Sequence, residues 1–276
     1  MSLYKPSVLL DFLQSVGITP KKGLSQHFLI DGNVIRKILA VSHLQSQDQV
    51  IEIGPGPGVL TEALLQATIS KLYAFEKDEL FGKELYRLQN STSSLEVFIG
   101  DFLEFPLRTL FSPQKPLKVI ANLPYNITKP ILLHLFDHHD LFTDLVLMMQ
   151  EEVAKKILSP PSNPTYGPLT LISEFYSKAT IVCKVSPSSF FPKPKVRSAI
   201  VHFVMKKPPL LEPKPFFHMI QIAFQKRRKQ LAVALETLFP KKQIHEALEH
   251  LQLPITLRAE DLTLTEFLSL FERISK

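Results

Sequence analysis

The chain has 276 residues, 32 basic and 26 acidic side chains, a net charge of +6, and 45% hydrophobic against 21% charged residues. These proportions exclude a disordered polymer, and the length holds one large or two modest domains. A single cysteine, Cys183, excludes a disulfide framework and any cysteine-based zinc or iron–sulfur centre.

From the N-terminus, the apolar stretch Ser7–Leu13 is broken by Asp11, which argues against a signal peptide. No apolar run approaches the ~18 residues of a spanning helix, so a cytoplasmic protein with no membrane partner is expected. Strands are predicted at Gln49–Ile53, Leu72–Glu76, Leu95–Ile99, Leu117–Ala121 and Leu145–Met149, all reading as buried. Helical spacing falls between them at Leu60–Ala67, Asp78–Gln89 and Lys129–Phe136. This alternation predicts an α/β fold with a Rossmann-like, doubly wound, mainly parallel sheet. Two β-rich runs, Ala179–Val185 and Ser198–Met205, follow as an expected closing hairpin. Prolines 208, 209, 213 and 215 then mark a boundary, beyond which Phe217, Ile220, Phe224, Leu231, Leu235 and Leu238 keep one helical face. The expected domains are 1–207 and a small all-helical 210–276.

Glycine is scarce at nine residues, yet Gly54, Gly56 and Gly58 fall within five positions, between a strand and a helix. Such a turn lets a ligand approach the main chain. It lacks the Gly-Lys-Ser/Thr of a phosphate loop, and its Gly-x-Gly-x-Gly spacing differs from the dinucleotide fingerprint. Glu76 ends the next strand, where a carboxylate can accept both ribose hydroxyls. Asp101 follows the third strand, placed to accept from an adenine amino group. An adenosine without a large phosphate load is implied, which points to S-adenosylmethionine.

Asn122-Leu123-Pro124-Tyr125 follows the fourth strand. An exocyclic adenine amine is a poor nucleophile because its lone pair is delocalised into the ring. An Asn oxygen and a backbone carbonyl can accept its two N–H groups, and an aromatic ring can grip the extruded base. Pro124 leaves the carbonyl before it free of helical pairing. His134 and His138 lie one turn apart, but no third ligand suggests itself, so they read as surface histidines and no metal is expected. Cys183 reads as a small core residue, and Glu151 and Glu152 as favourable charges at a helix start.

Basic side chains gather in two places. Lys184, Lys193, Lys195, Arg197, Lys206 and Lys207 occupy 184–207 without an acidic residue, and Lys226-Arg227-Arg228-Lys229 forms a second cluster. Two clusters in a basic chain favour a polyanionic partner.

Together these motifs resemble the ribosomal RNA small-subunit adenine N6,N6-dimethyltransferase family of the KsgA/RsmA type. The resemblance runs through Ser25-Gln26-His27-Phe28-Leu29, Glu52 to Gly58, Glu76, Gly100-Asp101, Asn122 to Thr128 and Met149 to Val153. It continues through Pro187 to Ala199, Ala223 to Lys229 and Arg258-Ala259-Glu260. It implies a methyltransferase domain with a helical RNA-binding domain, acting as a monomer on 16S rRNA in the small ribosomal subunit precursor. Two adjacent adenosines would be dimethylated, with S-adenosyl-L-methionine as methyl donor. His27, Leu29, Gly54, Glu76, Asp101 and Asn122 would hold that donor, with Asn122 also facing the target base. Tyr125 would stack on the adenine and Phe190 close its other side, with Phe191 the adjacent alternative. Ser25 and Arg197 depart from the family's commonest pattern, where glycine and an acidic residue are frequent. The competing readings are a 23S rRNA dimethyltransferase conferring antibiotic resistance and a non-catalytic ribosome-assembly factor.

Overall fold

The computed structural model describes residues 3–20, 23 and 26–275; Ser25 of the N-terminal motif lies outside them. In chain order come α1 (Pro6–Ser15), β1 (Phe28–Leu29), α2 (Gly32–Ser42), β2 (Gln49–Ile53), α3 (Val59–Gln66), β3 (Lys71–Glu76), α4 (Glu79–Ser91) and β4 (Leu95–Ile99). Next are α5 (Leu107–Leu110), β5 (Leu117–Asn122), α6 (Thr128–Asp137), β6 (Phe142–Gln150), α7 (Glu151–Ile157), α8 (Pro168–Tyr176), β7 (Ser177–Val185), β8 (Phe190–Phe191) and β9 (Ser198–Met205). The chain ends with α9 (Pro213–Gln225), α10 (Leu231–Leu235), α11 (Lys241–His250) and α12 (Leu264–Ile274).

Seven strands form one sheet in the order β4-β3-β2-β5-β6-β9-β7. The first five pair in parallel, and β9 runs antiparallel to β6. Their apolar runs are continuous because helices cover both faces of such a sheet; Val50, Ile51, Val119, Ile120 and Leu147 are fully buried. The connections reverse direction at β2, with β3 and β4 on one side and β5 and β6 on the other. A crevice therefore opens at the carboxyl ends of β2 and β5. Helix starts are fixed locally: Asp31 caps α2 through Asn33 N, and Asp78 caps α4 through Leu80 N.

Sequence periodicity does not reveal the two-stranded ribbon of β1 and β8, in which Phe28 faces Phe191 and Leu29 faces Phe190. Two residues per strand are too few to carry an alternating pattern. The ribbon matters because it fixes the N-terminal segment beside the sheet's carboxyl edge.

The chain forms two units, Met1–Ala154 with Lys178–Lys206, and Lys155–Ser177 with Lys207–Lys276. A single boundary near the proline-rich segment therefore misses residues 155–177, which group with the helical unit. The physical reason is aromatic packing: the Phe175 ring of α8 lies 5.7 Å from Phe216 and 5.0 Å from Phe217 of α9. Within that unit Arg227 is a clasp. Its guanidinium pairs with Glu260 and donates to the carbonyls of Pro164 (2.6 Å) and Asn163 (2.9 Å). The side chain that the sequence groups with a basic cluster facing a polyanion is instead committed to holding the 163–164 turn.

Arg227→Ala should accordingly lower stability by about 2 kcal/mol, since two carbonyls and a carboxylate lose a charged donor. Thermal unfolding measures the loss, and amide exchange of the full chain should quicken around residues 162–166. Unchanged exchange there would refute the clasp.

Candidate active site

A cleft of about 1110 Å³, counting the space open at its mouth, lies at the carboxyl edge of the sheet. His27, Leu29, Gly54, Glu76, Asp101, Asn122 and Tyr125 all line it. The parallel strands bring them together: Gly54 follows β2, Glu76 ends β3, Asp101 follows β4 and Asn122 ends β5. His27 and Leu29 arrive on the other side with β1.

The glycine turn needs glycine for backbone reasons. Gly54, Gly56 and Gly58 have φ of +66°, +55° and +89°, a region that side chains disfavour. At Gly56 a Cβ would also come within 2.9 Å of the Phe28 ring. The Gly56 N–H donates to Glu76 Oε2 at 2.8 Å, and Asp78 N–H donates to Glu76 Oε1 at 2.7 Å. Each Glu76 oxygen keeps a further lone pair with which to accept a ligand hydroxyl. Burial raises the Glu76 pKa, and these two backbone bonds oppose that rise.

Two further ionisable residues, Glu52 and Lys77, line the cleft without a role expected from the sequence. Glu52 is 1% exposed and accepts from Thr61 Oγ1 at 2.7 Å; burial pushes its pKa up to about 8. Burial therefore favours the neutral, protonated carboxyl. Lys77 donates to Asp101 Oδ2 at 2.6 Å, while Leu103 N–H donates to Asp101 Oδ1 at 3.1 Å. Burial pulls the Asp101 carboxyl up, but these partners outweigh it and hold it below its ordinary value. The only sequence signal for Lys77 is its position next to Glu76, at a strand end.

Asn122 sets the geometry on the β5 side. Its Nδ2 donates to the main-chain carbonyl of His27 at 2.9 Å. A carbonyl can only accept, so the amide orientation is fixed by chemistry. Among the described residues its Oδ1 is then left buried and without a hydrogen-bond partner. A buried unpaired acceptor costs stability, and at a functional site it marks the place of a ligand donor. Tyr125 stands beside it, with its ring 5.4 Å from that of His27 and its hydroxyl 2.5 Å from Ser198 Oγ. His27 Nδ1 meets the Pro192 carbonyl at 2.6 Å, so that nitrogen carries the proton.

The structure does not bring Phe190 into this group. Its place in β8, opposite Leu29, turns the ring into the core, where it is 2% exposed and packs with Leu29, Val34 and Ile200. Phe191 packs instead toward the cluster of Leu9, Leu13, Ile18, Phe28 and Phe81. Neither ring lines the cleft. Sequence spacing could not distinguish these positions because the β1–β8 register decides them.

Other expectations meet the structure as follows. His134 is half-buried rather than a free surface histidine: among the described residues its Nε2 is hidden without a hydrogen-bond partner, and its ring meets Phe102 edge-on at 5.5 Å. Among the described residues no cluster of three or more potential metal ligands occurs, and no helix is long and apolar enough to cross a membrane. Cys183 is half-buried against the sheet core. Glu151 and Glu152 open α7, and Glu151 also pairs with Lys184 at 3.1 Å. Lys226, Arg228 and Lys229 are exposed.

Comparison with known proteins gives this cleft its family. The pattern of the ribosomal RNA adenine dimethylases matches residues 18–276. "Ribosomal RNA small subunit methyltransferase A" of Protochlamydia amoebophila is 43% identical, covering 99% of this chain and 98% of its own. The protein of that name from Chlamydia caviae is likewise 43% identical, over 100% of this chain and 99% of its own. A dimethyladenosine transferase from Plasmodium falciparum superposes with a TM-score of 0.79 at 30% identity, covering 90% of this chain and 98% of its own. The 23S rRNA methyltransferase ErmE gives 0.69 at 26% identity, covering 90% and 100%. The fold and site define an S-adenosylmethionine-dependent methyltransferase. The chain belongs to the ribosomal RNA adenine dimethylase family.

The residues fit that methyl donor: a left-handed glycine turn allows close approach, Glu76 keeps lone pairs for hydroxyls, and Asn122 Oδ1 waits for a donor.

Glu52 makes the ligand-free protein sensitive to pH. Its folded pKa of about 8 exceeds the ordinary 4.5, so the folded state keeps a proton that the unfolded chain has released between these values. The stability tied to that proton is complete below pH ~4.5 and is lost as pH rises through about 8. The melting midpoint of Glu52→Gln should fall less than that of the parent between pH 5 and 8.5. Parallel curves for the two proteins would place an ionised Glu52 in the fold.

Proposed function

We propose that the protein dimethylates the N6 amines of two adjacent adenosines in a hairpin loop near the 3′ end of 16S rRNA, during small-subunit assembly. The observation that carries this reading is the buried, unpaired Asn122 Oδ1 beside the Tyr125 ring. The relatives named for the small subunit are 43% identical, against 26% for the 23S methyltransferase, which favours 16S over 23S rRNA. Its proposed form is a cytoplasmic monomer, in keeping with a ribosomal RNA substrate.

In this reading Glu76 accepts the ribose hydroxyls of S-adenosylmethionine, Asp101 the adenine amine, and Gly54 passes close to the methionine portion. His27 and Leu29 close the pocket from β1. Bound S-adenosylmethionine supplies an electrophilic methyl group on a sulfonium. Asn122 Oδ1 and the Leu123 carbonyl accept the two N–H groups of the target amine. Held that way, the nitrogen is drawn toward tetrahedral geometry and its lone pair leaves the ring system; it would form the new N–C bond as the sulfonium S–C bond breaks to a neutral thioether, and the methylated nitrogen would then lose its proton to solvent. Tyr125 stacks on the extruded base. Phe190, buried behind Leu29, anchors the ribbon that carries His27 rather than offering its own face.

The exposed Lys226, Arg228 and Lys229 are the proposed phosphate contacts in the helical unit. Arg227 is excluded from that set by its clasp on Glu260.

Asn122→Ala should reduce single-turnover methylation roughly 100-fold or more while the protein folds and binds RNA as the parent does, because the lost acceptor acts chiefly in the transition state. Filter binding and rapid-quench methylation separate the two effects. Turnover near that of the parent would remove Asn122 from the reaction.

A further inference from the structure

Tyr125 lies on the turn between β5 and α6, and such a turn does not by itself fix the plane of a ring. Its orientation is set from elsewhere. Ser198, the first residue of β9, is fully buried and pairs across the ladder with Gln150 of β6. Its Oγ lies 2.5 Å from the Tyr125 hydroxyl. A half-buried phenol needs a hydrogen-bond partner, and here the partner is mounted on the sheet rather than on the turn that carries the ring. The other edge of the arrangement is also pinned. The His27 ring stands 5.4 Å from the Tyr125 ring at a 30° tilt, and its Nδ1 is held by the Pro192 carbonyl at 2.6 Å. Ser198 and Pro192 belong to one segment, the connection through β8 into β9.

We infer that Ser198 is a positioning residue for methyl transfer, locking the plane of the Tyr125 ring against which the target adenine stacks. The inference rests on the proposed stacking role of Tyr125. Ser198 does not touch the reacting atoms. It acts by removing ring rotation, so that the stacked base arrives with its amine directed at Asn122 Oδ1. Displacements of about 1 Å at a reacting centre are enough to cost up to about 100-fold in rate. The segment from Pro187 to Ala199, which resembles the family's loop motif, thereby acquires a part that neither Phe190 nor Phe191 supplies. It brings the hydroxyl that orients the opposing ring.

Three variants of the full chain test this: Ser198→Ala, Tyr125→Phe and the double variant. Tyr125→Phe removes the same bond from the other side and keeps the test decisive should Ser198→Ala fold poorly. The substrate is small-subunit RNA carrying 2-aminopurine at a target adenosine for the stacking measurement, and unmodified RNA for the rates. Expected results are a fall of about tenfold in single-turnover rate for each single variant, with the double variant no worse than either. 2-Aminopurine fluorescence should be less quenched than with the parent, while cofactor affinity and RNA affinity stay unchanged. A purely structural hydroxyl would move the midpoint and leave quenching alone, and that outcome overturns the inference. Additive losses in the double variant overturn it as well. Tyr125→Ala separates this failure from failure of the stacking role: if it leaves quenching intact, the base does not stack on Tyr125 at all.

Discussion

The hydrogen bond from Asn122 Nδ2 to the His27 carbonyl is the contact on which the rest of the site depends. It joins the end of β5 to the N-terminal segment, two parts of the chain 95 residues apart. It also decides which end of the amide faces the cleft. With the nitrogen spent on a carbonyl, the oxygen becomes the free group, and an oxygen is what an attacking amine requires. The β1–β8 ribbon, the Gln26–Asp78 contact at 3.2 Å and the His27–Pro192 contact hold the carbonyl in place. The geometry at one atom is thus supported by hydrogen bonds from two other segments, residues 190–192 and Asp78.

Charge in the cleft is handled with equal economy. Glu76 is held by two backbone N–H groups instead of a cation, which leaves it able to accept hydroxyls without a competing salt bridge. Glu52 is buried deeply enough to remain neutral, and Lys77 and Asp101 balance each other. A pocket arranged in this way can accept a cationic sulfonium without confronting it with an unpaired lysine or arginine.

The strand ends and their motifs were legible in the sequence because parallel strands, buried on both faces, read as apolar runs, and each run ends on a distinctive residue. Gly54, Glu76, Asp101 and Asn122 could be placed on one edge from that alone, and the structure gathers them around one cleft. The illegible parts depend on contacts between distant residues. The burial of Phe190 follows from a two-residue pairing with Leu29, 161 positions away by the numbering. Arg227 sits in a basic run that reads as a polyanion-binding cluster, yet Glu260 and the 163–164 carbonyls capture it. The helix α8 carries an ordinary apolar pattern, and only the rings of Phe216 and Phe217 show which unit it joins.

The most direct test of the central claim is to locate the modified bases. The protein would be incubated with S-adenosylmethionine and either small-subunit particles lacking adenine methylation or unmodified 23S rRNA, and the RNA read by primer extension and nucleoside mass spectrometry. The account predicts N6,N6-dimethyladenosine at two neighbouring positions near the 3′ end of 16S rRNA and none in 23S rRNA. A primer-extension stop in 23S rRNA with 16S rRNA untouched would contradict it.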